Sequence, residues 1–286
     1  MRIVRWHSLF PACFALWTVL FYSVTTVYAI DLLPTCGPES WSVNDDSVTL
    51  GENGVAAMTL DEDQNLIVMV NSPGNGNNLS EWYILKYNPS GKLLWRYFYP
   101  GTGSADGVYN DQGVSLALDQ QGNIYAVGNS LTLTQRDIVI LKLSSNGEEL
   151  WMHIFDGAAP ASNNQDDLAR AIALANDHVY IFGQTWSDET HTGNMVLLYQ
   201  LDGTFARQLE LPTYTLAGFA FLPSGEWVSS GLQYKPLVEP TIYLAAYAAD
   251  GAELWHTTYN SAGKSSVLPG ALRLDPQNNI YMVMDA

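Results

Sequence analysis

A glycine followed four residues later by a tryptophan recurs along this chain at nearly constant intervals: Gly37/Trp41, Gly91/Trp95, Gly147/Trp151 and Gly251/Trp255. Gly203 keeps the glycine of a further copy, with Arg207 where the tryptophan would stand. Successive glycines lie 54, 56, 56 and 48 residues apart. Within an interval fall short apolar runs bounded by Gly, Asn or Asp, such as 112–118, 124–127, 138–141 and 150–155. Runs of this kind read as antiparallel strands joined by hairpins. A repeat of four strands and a little over fifty residues is the pattern of propeller blades. A β-sandwich would not bring its turns and tryptophans back in register.

Each recurring residue has a physical task. Asn146-Gly147, Asp202-Gly203 and Asp250-Gly251 supply the positive φ that tight hairpins demand. Trp41, Trp95, Trp151 and Trp255 are expected to close the gap between neighbouring blades with their large apolar area. Small residues in the first strand of each unit, such as Ala57, Ala117 and Ala173, suit a crowded centre. The fold expected is an all-β propeller of about five four-stranded repeats over residues 37–286. The final unit has only two strands, and residues 37–43 supply an outer strand that could clasp it and cover its edge. The rival reading is a fragment of a six- to eight-bladed propeller.

The string Leu141-Lys-Leu-Ser-Ser-Asn-Gly-Glu-Glu-Leu-Trp151, with Asp167-Leu-Ala-Arg-Ala-Ile-Ala-Leu174 and Val179-Tyr-Ile-Phe-Gly183 after it, resembles the SBBP-type bacterial β-propeller repeats. The Gly-x-x-x-Trp portion also resembles the docking motif of pyrroloquinoline-quinone propellers and of an outer-membrane assembly lipoprotein. The likeness runs from Gly37 to the C-terminus and implies a fold, since propellers host many functions. Quinone-dependent dehydrogenases of that class use a vicinal cysteine pair, which this chain lacks, so their activity is not carried over.

Composition limits the rest. Lys+Arg number 12 against 29 Asp+Glu, a formal charge of −17. That balance argues against nucleic acid or an anionic membrane surface as partner. Residues 1–29 read as a signal peptide: Arg2 and Arg5, an apolar run over 9–28, and Val27-Tyr-Ala29 at the cleavage position. The run is long enough that an uncleaved N-terminal anchor is the alternative. Either way the domain is expected outside the cytoplasm, secreted, periplasmic or at the cell surface, after a short linker at 30–36. Cys13 lies in the targeting segment and leaves Cys36 alone, so no internal disulfide is expected.

Blade topology puts short turns at one end and long connections at the other: 72–81, 100–110, 156–167, 184–194, 232–240 and 260–269. Long, varied loops on a rigid scaffold are where binding usually resides. The candidate binding residues are therefore Asp106, Tyr109, Asp111, Asp166, Asp167, Trp186, Asp188, Glu189, His191, Tyr214 and Tyr234. Asp111 and Asp167 each precede a first strand, a place where aspartate commonly caps a turn. The acids of this face favour a neutral or cationic partner, and the aromatics suit recognition. Asp61-Glu-Asp-Gln-Asn65 begins like a calcium loop but has Leu66 where glycine is needed, so it reads as a hairpin turn. No nucleophile elbow, phosphate loop or paired-cysteine motif occurs, so no catalytic residue, metal or cofactor is expected.

Three functions are consistent with these observations. They are a non-enzymatic platform for a protein or polysaccharide, a carbohydrate-active hydrolase or lyase, and an envelope assembly or structural factor. The fold expectation itself is open to a simple check. The far-ultraviolet circular dichroism of the purified protein should show strand and almost no helix, and a helix-dominated spectrum would refute it.

Overall fold

The computed structural model describes residues 2–6, 39–44, 54–73, 80–101, 110–132, 135–157, 166–188, 191–212, 215–235, 238–259, 268–275 and 277–285. Among these residues there are strands and turns and no helix. The first two strands, β1 (Arg2–Trp6) and β2 (Glu39–Asn44), pair with each other. Four sheets of four antiparallel strands follow. They are β3 (Val55–Leu60), β4 (Leu66–Pro73), β5 (Ser80–Tyr87) and β6 (Leu93–Phe98); then β7 (Gln112–Leu118), β8 (Ile124–Thr132), β9 (Gln135–Leu143) and β10 (Glu149–Phe155). The third holds β11 (Leu168–Ala175), β12 (His178–Asp188), β13 (His191–Gln200) and β14 (Phe205–Leu211). The fourth holds β15 (Thr215–Phe221), β16 (Trp227–Lys235), β17 (Val238–Tyr247) and β18 (Glu253–Tyr259), and the hairpin β19 (Leu268–Leu274) and β20 (Ile280–Asp285) ends the chain.

In every sheet the strands lie side by side in chain order, and first strands meet first strands: β3 with β7, β7 with β11, β15 with β19. The sheets therefore radiate from an axis lined by their first strands. This is a β-propeller.

Alternation along each strand sends side chains into two different seams, because both faces of an inner sheet are covered. Ile67, Met69, Trp82 and Ile84 of the first sheet pack on Ile124, Ala126, Val139 and Leu141 of the second. Val127, Ile138 and Ile140 then meet Ile172, Val179 and Ile181 of the third. Aromatics fill the next seam, where Tyr180 and Phe182 meet Trp227 and Tyr243. Val68, Val70, Leu85 and Tyr87, on the opposite face of the first sheet, are buried as well.

The innermost strands share a second device. Each carries a bulge near its start, between Val55/Ala57, Gly113/Ser115, Ala169/Ala171, Leu216/Gly218 and Pro269/Leu272. A bulge bends the strand and frees one residue from the ladder. The freed residues are Ala56, Val114, Arg170 and Ala217 in the four complete sheets.

The Gly-x-x-x-Trp copies act across the seams. Gly147 has φ 83°, and a Cβ there would lie 2.7 Å from the Trp95 ring of the preceding blade. The Trp95 indole N–H donates to the Ser145 carbonyl at 3.1 Å, and Lys86 Nζ donates to the same oxygen at 3.1 Å. One blade on, Gly203 lies under Trp151, and both Trp151 Nε1 (3.3 Å) and Lys142 Nζ (2.9 Å) donate to Leu201 O. At the third seam Leu209 fills the place over Gly251, and Arg207 is exposed.

Two expectations need correction. Trp255 is 43% exposed, whereas Trp95 and Trp151 are half-buried over the next blade's turn. Residues 37–43 do not clasp the C-terminal hairpin: β2 pairs with β1, and no ladder joins either to β20. The reason is positional. β2 carries a fourth-strand sequence, and a fourth strand pairs only with a third, whereas β19 and β20 are a first and second strand. The β1–β2 register is that of a third–fourth pair: Arg5 opposes Trp41 and Trp6 opposes Glu39. Lys142 opposes Trp151 and Leu143 opposes Glu149 in the same way. The side chain of Trp41 lies outside the described residues.

Seam docking gives an ordered expectation for the tryptophans. In urea denaturation, Trp151→Ala should cost about 3 kcal/mol, whereas Trp255→Ala and Arg207→Ala should stay within about 0.5 kcal/mol. Equal losses at Trp151 and Trp255 would refute the docking role.

Candidate functional site

The connections between blades and the second hairpin of each sheet gather at one end of the propeller, the long-connection end. Two of these connections prove shorter than the sequence suggests. Residues 184–188 and 191–194 continue β12 and β13 as a hairpin arm, with Trp186 opposite Thr192 and Asp188 opposite His191. Likewise β16 and β17 extend to Lys235 and Val238. Threonine, tryptophan, tyrosine and valine in these segments favour the extended chain over an open loop.

Asp111 and Asp167 perform the same local task in successive seams. The Asp111 N–H donates to Ser80 O at 3.0 Å, and its Oδ1 accepts from Ser130 Oγ at 2.6 Å. The Asp167 N–H donates to Arg136 O at 2.7 Å, and its carboxylate accepts from Thr185 and from the Gly157 N–H. Both side chains are buried. Burial, the largest influence, pushes the carboxyls of both residues above the ordinary aspartate value, against the hydrogen bonds that favour the charged form. Asp166 lies half-exposed beside them, its Oδ1 accepting from Arg136 N–H at 2.9 Å.

At the second seam two further acids join. Asp137, at the start of β9, is buried, and Asp156, just after β10, is exposed. One carboxylate oxygen from each of Asp137, Asp156 and Asp167 lies within 4.8 Å of the other two. Gln135 Nε2 donates to Asp137 Oδ1 at 3.2 Å and to Asp156 Oδ1 at 2.9 Å. The first seam does not build this cluster, because Glu81 and Pro100 occupy the equivalent places.

Three convergent carboxylates can hold a hard cation through oxygen, meet a partner's ammonium or guanidinium group, or divide acid and base roles. Neither Asp137 nor Asp156 was a sequence candidate. Their convergence follows from a third strand starting, a fourth ending and a first starting at one point.

The remaining candidates are placed as follows. Asp106, Tyr109, Glu189 and Tyr214 lie outside the described residues. Trp186, Asp188, His191 and Tyr234 occupy strand positions at the long-connection end, with side chains outside the described set.

The short-turn end has its own features. Asp61 accepts from Asn65 N and Nδ2, both at 2.8 Å, and pairs with Lys86 at 2.9 Å. Asp119 and Asp275 fold onto Asn123 and Asn279 in the same manner. The Asp61 segment is thus a self-capped hairpin turn. A cavity of about 690 Å³ opens beside it, lined by Asp61, Lys86, Trp95 and Asp119 among others. A groove at this end was not expected from loop length.

No family model matches the chain, and no curated protein matches it either. Solved structures do. An α-L-arabinanase of Penicillium chrysogenum, complexed with arabinobiose, is 12% identical with a TM-score of 0.53, covering 82% of this chain and 76% of that one. An α-L-arabinofuranosidase of Fusarium graminearum is 13% identical with a TM-score of 0.52 over the same shares. A glucose dehydrogenase is 11% identical with a TM-score of 0.50, covering 88% and 85%. At such identities the likeness is one of fold, and the fold is the propeller.

The buried aspartates predict a pH dependence with a definite sign. A carboxyl whose pKa is raised in the folded protein contributes stability below its unfolded value, and that contribution is lost as pH rises through the folded value. For Asp167 the window opens near the ordinary 3.8 and extends upward. The melting temperature of Asp167→Asn relative to wild type should therefore rise with pH across that window. A difference independent of pH would refute the raised pKa.

Proposed function

We propose that this protein is a non-enzymatic binding platform working outside the cytoplasm. It takes a neutral or cationic protein or polysaccharide on the long-connection end. The observation that carries this reading is the convergence of Asp137, Asp156 and Asp167 at the second seam. A surface of this kind, on a chain of charge −17, steers cations by a salt-dependent attraction. The strand arms bearing Trp186 and Tyr234 flank the same end and would offer aromatic contact. Export through the N-terminal segment 1–29 belongs to this proposal.

A second reading has a specific observation in its favour. Asp167, with its raised pKa, stands within 4.8 Å of the exposed Asp156. Two neighbouring carboxyls in different environments, one buried and one exposed, are the kind of pair that glycoside hydrolysis uses. The arabinan-acting proteins of similar fold make arabinan the first substrate to try.

Affinity electrophoresis separates the two. A cationic glucosamine polymer or a neutral arabinan should retard the wild type. For the cationic polymer the interaction should weaken with salt, and Asp137→Asn/Asp156→Asn should weaken it about tenfold. Loss of binding only on Glu62→Gln/Asp63→Asn, at the short-turn end, would place the working face wrongly. Reducing ends released from arabinan by wild type and not by Asp156→Asn would establish the hydrolase instead.

A further inference from the structure

A cavity of about 270 Å³ opens between the innermost strands β11, β15 and β19. Arg170, Arg273, Leu216, Phe219 and Leu272 form much of its wall, and no Asp or Glu lines it. This is a local inversion of charge, since acids outnumber bases 29 to 12 in the whole chain. Arg170 is the residue that the β11 bulge frees from the ladder, a place held by Ala56, Val114 and Ala217 in the other complete sheets. A long cation thus stands on the axis where its counterparts are small and apolar.

Gln184 holds this arginine. Its Oε1 accepts from Arg170 Nε at 3.2 Å and from Nη2 at 2.6 Å. The equivalent residues of the first two sheets have another task. Asn71 exchanges two bonds with the backbone of Gly113, and Asn129 accepts from Ala169 N–H at 2.7 Å, each tying its blade to the next. In the third sheet the residue at this position bonds to the arginine. Arg273 donates to Leu272 O at 2.8 Å. Neither arginine forms an ion pair among the described residues.

We propose that this cavity binds a compact carboxylate, about the size of one sugar ring, with its acid group at Arg170 and Arg273 and its body against Phe219 and Leu216. Two arginines among the lining residues, with no acid beside them, give the cavity a positive potential that favours an anion. The planar fork of arginine matches a carboxylate in bidentate fashion, and the Gln184 bonds leave Nη1 of Arg170 for such a contact. The apolar wall provides the remaining surface that a small ligand buries. This site differs from the acid cluster of the second seam, which favours the opposite charge.

Isothermal titration at low salt tests the proposal with four probes: galacturonate and benzoate, and their neutral counterparts galactose and benzyl alcohol. At least one carboxylate should bind and its neutral counterpart should not. The one that binds tells a sugar acid from an aromatic acid. Arg170→Gln and Arg273→Gln should each weaken it at least about tenfold. Arg170→Lys, which keeps the charge and loses the fork, should fall between. Both arginines are exposed, so unchanged melting temperatures should accompany these losses. Absence of carboxylate binding up to about 10 mM, equal binding of the neutral counterpart, or undiminished binding in both glutamine variants would overturn the proposal.

Discussion

Two backbone oxygens, Ser145 O and Leu201 O, each accept an indole N–H and a lysine ammonium from the preceding blade. Each oxygen belongs to a tight turn whose glycine has positive φ. That turn brings a backbone without Cβ flat against the indole. Apolar burial supplies most of the seam energy, but it is non-directional and would tolerate a range of angles between sheets. The shared carbonyl fixes one. A hydrogen bond to a charged group contributes about 1.5–3 kcal/mol, enough to select one arrangement among many of similar buried area. The seam clusters, the axis and the positions of the loop-end acids all follow from that angle.

The repeat made much of this legible in advance. Glycine in a turn and tryptophan four residues on are a local pattern, and their spacing shows directly in the chain. The lysine half of the contact did not show. Lys86 and Lys142 sit in apolar third strands, where a single cation reads as an edge or surface residue. Only the register opposite Trp95 and Trp151 reveals their target. The clasp fails for a related reason: 37–43 reads as a fourth strand, and a fourth strand needs a third beside it, which the hairpin of β19 and β20 does not supply. Among candidate acids, Asp167 was visible because it precedes a first strand. Asp137 and Asp156 were not, since their convergence with it depends on three strand ends meeting. The arms carrying Trp186 and Tyr234 were misjudged because length between repeats was read as loop, although Thr185, Thr192 and Tyr234 favour strand.

The two sites differ in electrostatic origin. At the second seam, carboxylates are added to aspartates that already close the blades, so the structural role comes first and the negative field is built upon it. On the axis, one freed residue per sheet is the only free variable, and at Arg170 it is cationic. A chain with a strongly negative total can in this way present opposite potentials at its rim and its centre.

The third seam replaces the lysine and indole of the first two. Leu198 and Arg207 stand where the others have lysine and tryptophan, and Gln184 bonds to Arg170. Tyr180 Oη still donates to Ala249 O at 3.3 Å and Asn176 Nδ2 to Gly225 O at 2.9 Å, and aromatic packing fills the rest: Phe182 on Phe219 at 3.9 Å, and Tyr180 edge-on to Phe221 at 4.8 Å. Stacked rings slide over one another with little change in energy, whereas a carbonyl shared by two donors does not. The third boundary thus meets its turn through a tyrosine hydroxyl and packed rings, where the first two use indole and lysine. That boundary is also where the axial cavity lies, with Arg170 on one side of it and Arg273 beyond the first strand of the fourth sheet on the other.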